Sequence, residues 1–437
     1  MGADVIDFPN SPTTGQIFQN WKWDGTKWVA IGSGASITVS DTAPASPTAG
    51  ALWWDSVGGQ LYLYYTDPNS SEWVPATNQG SPPRSPPPSN PNKLINPFME
   101  IDQANEGAVV AITTGAQFMA DGFRGYLGTS AGAVAQGARQ TSNGPTGFGS
   151  NAYFWITTAA SSVAAGDQAI LFQNIEADEI YDISFGTANA QPLTVSFWAY
   201  CTLAGTYYFF IRNGATNNRS YVAPFTLAAS TWQLITITIP GDTAGTWTLS
   251  GNTNGLQAGW CFATGATYQT APNAWAAGSF VGGTGMSNAF MTTLNATFRL
   301  GPCKLEVGST ATPMLRTSMQ QELSRCQRYY EKGYDPGTAP GTANSQNGMA
   351  LFLVYGVGGM ATIGNNVQYA VPKRATPTFT PYSSVTGAAG KFRDATSNVD
   401  ITLASVNASV KSFYYVANNN VAGTTNLQGQ WVADARL

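Results

Sequence analysis

Apolar and polar positions alternate with period two in a series of runs through the middle of the chain. They are YDISF (Tyr181 to Phe185), LTVSFWAY (Leu193 to Tyr200), YYFFIRN (Tyr207 to Asn213), TWQLITITIP (Thr231 to Pro240) and NATFRLGPCKLEVG (Asn295 to Gly308). Such alternation sends successive side chains to opposite faces of a strand. With Gly, Asn and Thr turns between the runs, it predicts a β-sandwich. Residues 94–315 carry no helical period, which fits a jelly roll better than a barrel with a pore. No short repeat runs through them, so a parallel β-helix is not expected.

The period changes once. Over residues 318–332, Met319, Leu323, Cys326 and Tyr330 fall on one helical stripe. Ser318 with Gln321 makes a capping box, and Gly333 is placed to end the helix. The stripe must pack on something, either the β-domains of its own chain or other copies around a threefold axis. Beyond it, MALFLVYGV (Met349 to Val357), VDITLASV (Val399 to Val406) and SVKSFYYVAN (Ser409 to Asn418) predict a small C-terminal β-domain over 334–437.

The N-terminal 1–78 hold a degenerate repeat: PTTGQIF with WKWDGTKWVA, then PTAGALWWD with LYLYYTDPNSSEWVPA. Each copy reads as an aromatic-rich meander, with Asp24-Gly25 as a hairpin turn. Units this small cannot bury Trp21, Trp23, Trp28, Trp53, Trp54 and Trp73 alone, so they ask for each other or for further chains. Residues 79–93, QGSPPRSPPPSNPNK, form a Pro-rich, extended linker. The expected organisation is therefore mainly β: N-terminal repeats 1–78, linker 79–93, sandwich 94–315, connecting helix 316–333 and C-terminal β-domain 334–437.

Only 10% of residues are charged, against about a quarter in an average domain. Thirteen Trp, 19 Tyr and 21 Phe still supply real cores, so low charge does not mean disorder here. The net charge of −4 and the absence of any basic stripe disfavour a nucleic-acid surface. A Thr/Asn/aromatic-rich exterior suits neutral sugars or another protein better. Histidine is absent, which removes His-based triads, zinc motifs and imidazole bases. Cys201, Cys261, Cys303 and Cys326 show no metal spacing and read as buried thiols. No secretory signal is evident at MGADVIDFPN, and no apolar run is long enough to span a membrane.

Catalytic candidates are few. Glu176, Asp178, Glu179 and Asp182 cluster where strand alternation would put Asp178 and Asp182 on one face. A solvated edge, a structural calcium and, last, a carboxylate pair for glycoside cleavage are the readings of that cluster. No other cofactor is expected. GVGGMATIG (Gly356 to Gly364) lacks the Lys-Ser/Thr of a phosphate loop, and GGTGMSNA (Gly282 to Ala289) reads as a wide turn. Recognition fits better. Residues 255–290 read as a polar loop region offering Trp260, Tyr268, Trp275 and Phe280, and Arg219 with Tyr221 form a second pair. Aromatic faces stack on sugar rings while polar groups hold the hydroxyls.

Ordered blocks resemble one family. LINPFMEIDQANEG (94–107), FGTANAQPLTVSFWAYCTLAGTYYFFIRN (185–213), TWQLITITIPGDTAGTW (231–247), NGLQAGW (254–260) and KLEVGSTATP (304–313) resemble the carbohydrate-binding-like sandwich of bacteriophage tail-fibre and other virion-fibre proteins. RCQRYYEK (325–332) and VPKRATPTFTPY (371–382) resemble blocks that follow it. The resemblance implies a non-catalytic fibre or spike subunit, homotrimeric, carried on the virion after assembly in the host cytoplasm. Its N-terminal tryptophans would serve the stem or attachment to other virion proteins, and its sandwich would bind a host-surface glycan, with neither nucleic acid nor membrane insertion. A structural head-fibre or decoration protein and a capsule depolymerase are the alternatives within the same resemblance.

Overall fold

The computed structural model describes residues 8–19, 21–30, 37–67, 70–76, 91–214, 216–356, 366–403, 405–416 and 423–437. Most of the expected linker and of the Gly356–Gly364 run lies outside them. The chain divides into two compact units, 1–87 and 88–437.

The first unit holds two small sheets. Ile17–Phe18, Trp21–Trp23 and Trp28–Ala30 form one. Its hairpin turns at Asp24, whose carboxylate accepts from the amides of Thr26 (2.8 Å) and Lys27 (2.9 Å), while Gly25 adopts a positive φ. Ile37–Ser40, Leu52–Asp55, Gln60–Thr66 and Ser71–Pro75 form the other, whose first pair is parallel. Trp53 is buried, stacked on Tyr62 at 5.0 Å and edge-on to Trp73 at 5.6 Å. Trp21, Trp23, Trp28 and Trp73 are half-buried, and Trp54 is exposed with Ile37, Val39 and Val57. Apolar surface thus remains uncovered within the unit.

The second unit is built on a jelly-roll sandwich of two antiparallel sheets. The seven-stranded sheet runs Trp275–Ala277, Arg219–Leu227, Gly205–Asn213, Asn254–Thr264, Gln168–Glu176, Phe123–Gly128, Gln117–Ala120. The six-stranded sheet runs Gln233–Ile239, Leu193–Cys201, Thr297–Val307, Asn151–Ala159, Val134–Gln140, Val110–Ile112. The chain crosses between sheets repeatedly, so each strand contributes one parity of residues to a shared core. Phe123, Phe154, Phe197, Phe209, Trp260, Phe262 and Phe298 fill it, all inaccessible to solvent. All four cysteines are buried and unpaired, their thiols pushed up by burial.

Two local expectations change. Residues 181–183 form a 3-10 turn, as do 177–179, rather than a strand. The helix spans Met319–Gln327 with the Ser318/Gln321 capping box in place, but it ends before Gly333. Tyr330–Lys332 instead pairs with the long Gly423–Asp434 strand, because its backbone groups gain sheet partners there that a further helical turn would forgo. The helix docks on the sandwich: Glu322 accepts from the Asn96 amide (2.6 Å), and Arg325 donates to the carbonyls of Asn92 and Leu94.

Gly423–Asp434 is the hub of the C-terminal sheet. It also pairs with Ala350–Gly356, Thr378–Ser383 and Lys391–Asp394. Its Leu427 and Trp431 pack with Phe392 and Phe413 in a small core. Glu176, fully buried at the end of a sandwich strand, fastens this region. It accepts from Arg328 (Nε 2.8 Å, Nη2 2.5 Å) and from the Tyr329 hydroxyl (2.9 Å). Glu176→Ala would leave a buried hydroxyl and a guanidinium without their acceptor. A loss of about 3 kcal/mol in chemical denaturation is expected; a change under about 0.5 kcal/mol would show the contact to be dispensable.

Asp121 supplies a pH test. Burial raises its carboxyl to about 6, against two hydrogen bonds from Gln103. The folded state therefore holds this proton more tightly than the unfolded one, whose value is about 4. Its contribution to stability is fully present below about 4 and is lost as pH rises through about 6. The stability difference between wild type and Asp121→Asn should shift in that direction across this window and stay level above it; a difference independent of pH would contradict the assignment.

Candidate functional site

The residues expected to bind sugar occupy three settings. Trp260 lies in the middle of the Asn254–Thr264 strand, inaccessible, with its ring 5.5 Å from that of Phe209 and 5.6 Å from that of Phe197. It is a core residue and cannot meet a ligand. The first part of 255–290 is a central strand rather than a loop, and a strand between two neighbours has no exposed ring on its inner face.

Arg219, Tyr221 and Trp275 do come together, on the paired strands Arg219–Leu227 and Trp275–Ala277. Arg219 and Trp275 are already engaged within the protein. Arg219 forms a two-pronged bridge to Asp242 (2.6 and 2.7 Å), which also accepts from Trp247 Nε1. Trp275 Nε1 donates to the Pro240 carbonyl at 2.8 Å. Tyr221 is buried, and the Trp275 ring is wedged against Phe185, Tyr221 and Trp247. The cluster clamps the end of the sandwich. Tyr268 is half-buried and packs with Phe280 on the outer face of the seven-stranded sheet, over Ile170, Phe172, Tyr208 and Phe210.

The acidic cluster disperses in the same way. Glu176 holds Arg328 and Tyr329, Asp178 accepts from the Gly251 amide, and Asp182 pairs with Lys93 at 2.8 Å. Among the described residues no group of three or more Cys, Asp or Glu side chains is placed to hold a metal ion.

A site that the motif reading missed lies on the outer face of the six-stranded sheet. Alternation buries Phe154, Ile156, Phe197, Ala199, Phe298 and Leu300 and turns Tyr153, Trp155, Trp198, Tyr200 and Arg299 outward. Register then sets Tyr200, Arg299 and Tyr153 side by side on three adjacent strands. Tyr153 and Trp155 stack with ring centres 4.4 Å apart and planes 19° apart. Arg299 lies between two rings, its guanidinium carbon 5.5 Å from the centre of Tyr153 and 5.8 Å from that of Tyr200. Its Nη1 donates to Gln140 Oε1 at 2.6 Å. Trp232 continues the row at 5.6 Å from Tyr200, and its Nε1 is fixed by the Asn143 carbonyl. Each of these aromatics is part-exposed, and Leu234, opposite Trp198, is 53% exposed.

This arrangement is a flat aromatic platform with a guanidinium at its centre and Gln136, Gln140 and Thr297 around it. A solvated sheet face is ordinarily polar, so five outward aromatics on one face mark a surface built to be covered. Burial raises the Tyr153 hydroxyl against the pull of Arg299, so it remains a neutral donor at ordinary pH. The signal was present in NAYFWITT and SFWAYC, where aromatics stand at both parities. One parity is needed for the core, which leaves the other to face out.

No protein-family model matches the sequence, and no curated protein matches it. Solved structures match part of the chain at low identity. The enzymatically active domain of tailspike protein 4 of bacteriophage CBA120 is 9% identical, with 49% of this chain and 21% of that one covered and a TM-score of 0.25. A CBM4 structure is 13% identical, covering 48% and 97%, with a TM-score of 0.25. The family 11 carbohydrate-binding module of Clostridium thermocellum Lic26A-Cel5E is 12% identical, covering 46% and 99%, with a TM-score of 0.24. The chain thus spans about a fifth of the tailspike domain's length.

The two kinds of tryptophan predict opposite behaviour. Trp260→Ala should cost about 3–5 kcal/mol of stability. Trp155→Ala should cost under about 1 kcal/mol, since its ring covers only the surface. Equal losses in denaturant titrations would mean that the platform is part of the core.

Proposed function

We propose that the chain is a virion-fibre subunit whose sandwich holds a host-surface polysaccharide on the Tyr153/Trp155/Trp198/Tyr200/Trp232 platform without cleaving it. The observation that carries this reading is the platform itself: part-exposed rings on a rigid sheet, pre-positioned by a packed core, with hydrogen-bonding side chains between them. Rings held this way offer apolar faces to sugar C–H groups at little entropic cost. Each contact is weak, and three chains per fibre would multiply it. The half-buried N-terminal tryptophans and the exposed Ile37, Val39 and Trp54 support a role for residues 1–78 in the homotrimeric stem and in attachment to other virion proteins.

The rival is a structural head-fibre or decoration protein in which the same platform packs against a neighbouring copy, a use that exposed Leu234 would also suit. The full chain should bind host cells, and lose that binding when surface polysaccharide is stripped. Trp155→Ala with Tyr153→Ala should weaken binding by about 2 kcal/mol, roughly thirtyfold. Binding that survives both changes would sink the platform reading. Reducing ends should not accumulate when purified capsule is incubated with the protein, and their release would favour the depolymerase. Light scattering should return three times the chain mass; a monomer would remove the stem role.

A further inference from the structure

Between residues 183 and 305 the chain carries four cations, Arg212, Arg219, Arg299 and Lys304, and a single acid, Asp242. Asp242 is taken by Arg219, and Lys304 is paired with Glu306 at 3.1 Å. Two guanidinium groups are left without a carboxylate among the described residues, one on each outer face of the sandwich. Arg212 is 7% exposed and is held by neutral partners, Gln257 and Ser279. Arg299 is part-exposed, and among the described residues its one protein acceptor is the neutral Gln140. Its Nε and Nη2 donate to no described protein atom.

Arg299 is therefore a fixed positive charge at the centre of the platform, held between two rings and with part of its donor fork free. A guanidinium engages a carboxylate through two parallel hydrogen bonds, a geometry that an ammonium cannot reproduce. Rings beside it would stack on the sugar that bears the carboxylate. The strands of this sheet carry one acid, Glu306, buried and bonded to Thr312 as well as to Lys304, so the face offers an anion no strong repulsion.

We propose that the ligand of the platform is an acidic saccharide, a polymer with a carboxylate on its sugar ring, and that Arg299 binds that carboxylate. This rests on the glycan-binding reading above and replaces the neutral sugar that low overall charge suggests.

The test uses the full chain and a panel of oligosaccharides containing galacturonate, glucuronate, mannuronate or sialate, each beside its carboxyl-reduced counterpart. At least one acidic member should bind roughly ten- to a hundredfold more tightly than its reduced form, and added salt should narrow that gap. Arg299→Gln should abolish the preference, bringing the affinities for the acidic and reduced forms within about threefold of each other. Arg299→Lys, which keeps the charge without the fork, should fall between. Thermal melts of both variants check the fold. Equal binding of acidic and reduced forms would overturn the charge inference and leave the platform reading intact. A preference that survives Arg299→Gln would overturn the assignment to Arg299. Tight binding only of sulfated or phosphorylated glycans added to the panel would overturn the carboxylate. No binding of any member would overturn the glycan reading together with this one.

Discussion

The inter-sheet core sets everything that faces outward. Side chains on a strand alternate between its two faces, so a slip of one residue would exchange the inner and outer sets. Phe154, Phe197 and Phe298 are held inward by Trp260, Phe209 and Phe262 of the opposing sheet. That forces Tyr153, Trp155, Trp198, Tyr200 and Arg299 onto the other side. Tyr153, Trp155, Trp198 and Tyr200 inherit their spacing from strand geometry and from the packing beneath, while Trp232, just before its strand, is fixed by the Asn143 carbonyl. This is a stiffer support than a loop-borne site provides.

A chain this poor in charge spends its ion pairs sparingly, and most of them join segments distant in sequence. Glu176 to Arg328, Lys93 to Asp182, and Lys373 to Glu331 each tie two separate stretches of the second unit, with at least one member buried. A buried pair does little for net stability against an apolar replacement. It does, however, penalise any arrangement that separates its members. These contacts therefore specify how the helix, the C-terminal sheet and the sandwich meet.

Much of the fold was legible from the alternation, because a period of two has one structural meaning over runs of this length. The Leu193–Cys201, Gly205–Asn213, Gln233–Ile239 and Thr297–Val307 strands lie where the alternating runs place them. Residues 181–185 alternate too, but the stretch is short and its backbone closes locally, the Ile183 amide donating to the Ile180 carbonyl, so it curls into a 3-10 turn. The helix stripe ran on to Tyr330 by coincidence: a residue buried under a sheet satisfies a helical period as well as one buried under a helix. The site was harder to see. Aromatics among Gly and Thr, as at 255–290, resemble an exposed loop when the pairing of strands is unknown. Aromatics inside an evident strand, as at 153 and 155, are easily assigned to the core. Only the register tells which parity faces inward.

The Gly423–Asp434 strand has a consequence for how the molecule is made. It pairs with four other strands, and every one of them precedes it in the chain. Their edges stay unpaired during synthesis until this segment emerges, and the C-terminal sheet can close only then. An interrupted chain would carry open sheet edges, the feature that chaperones and proteases act upon and that promotes aggregation. Closure of the C-terminal sheet therefore waits on a single segment that joins four strands.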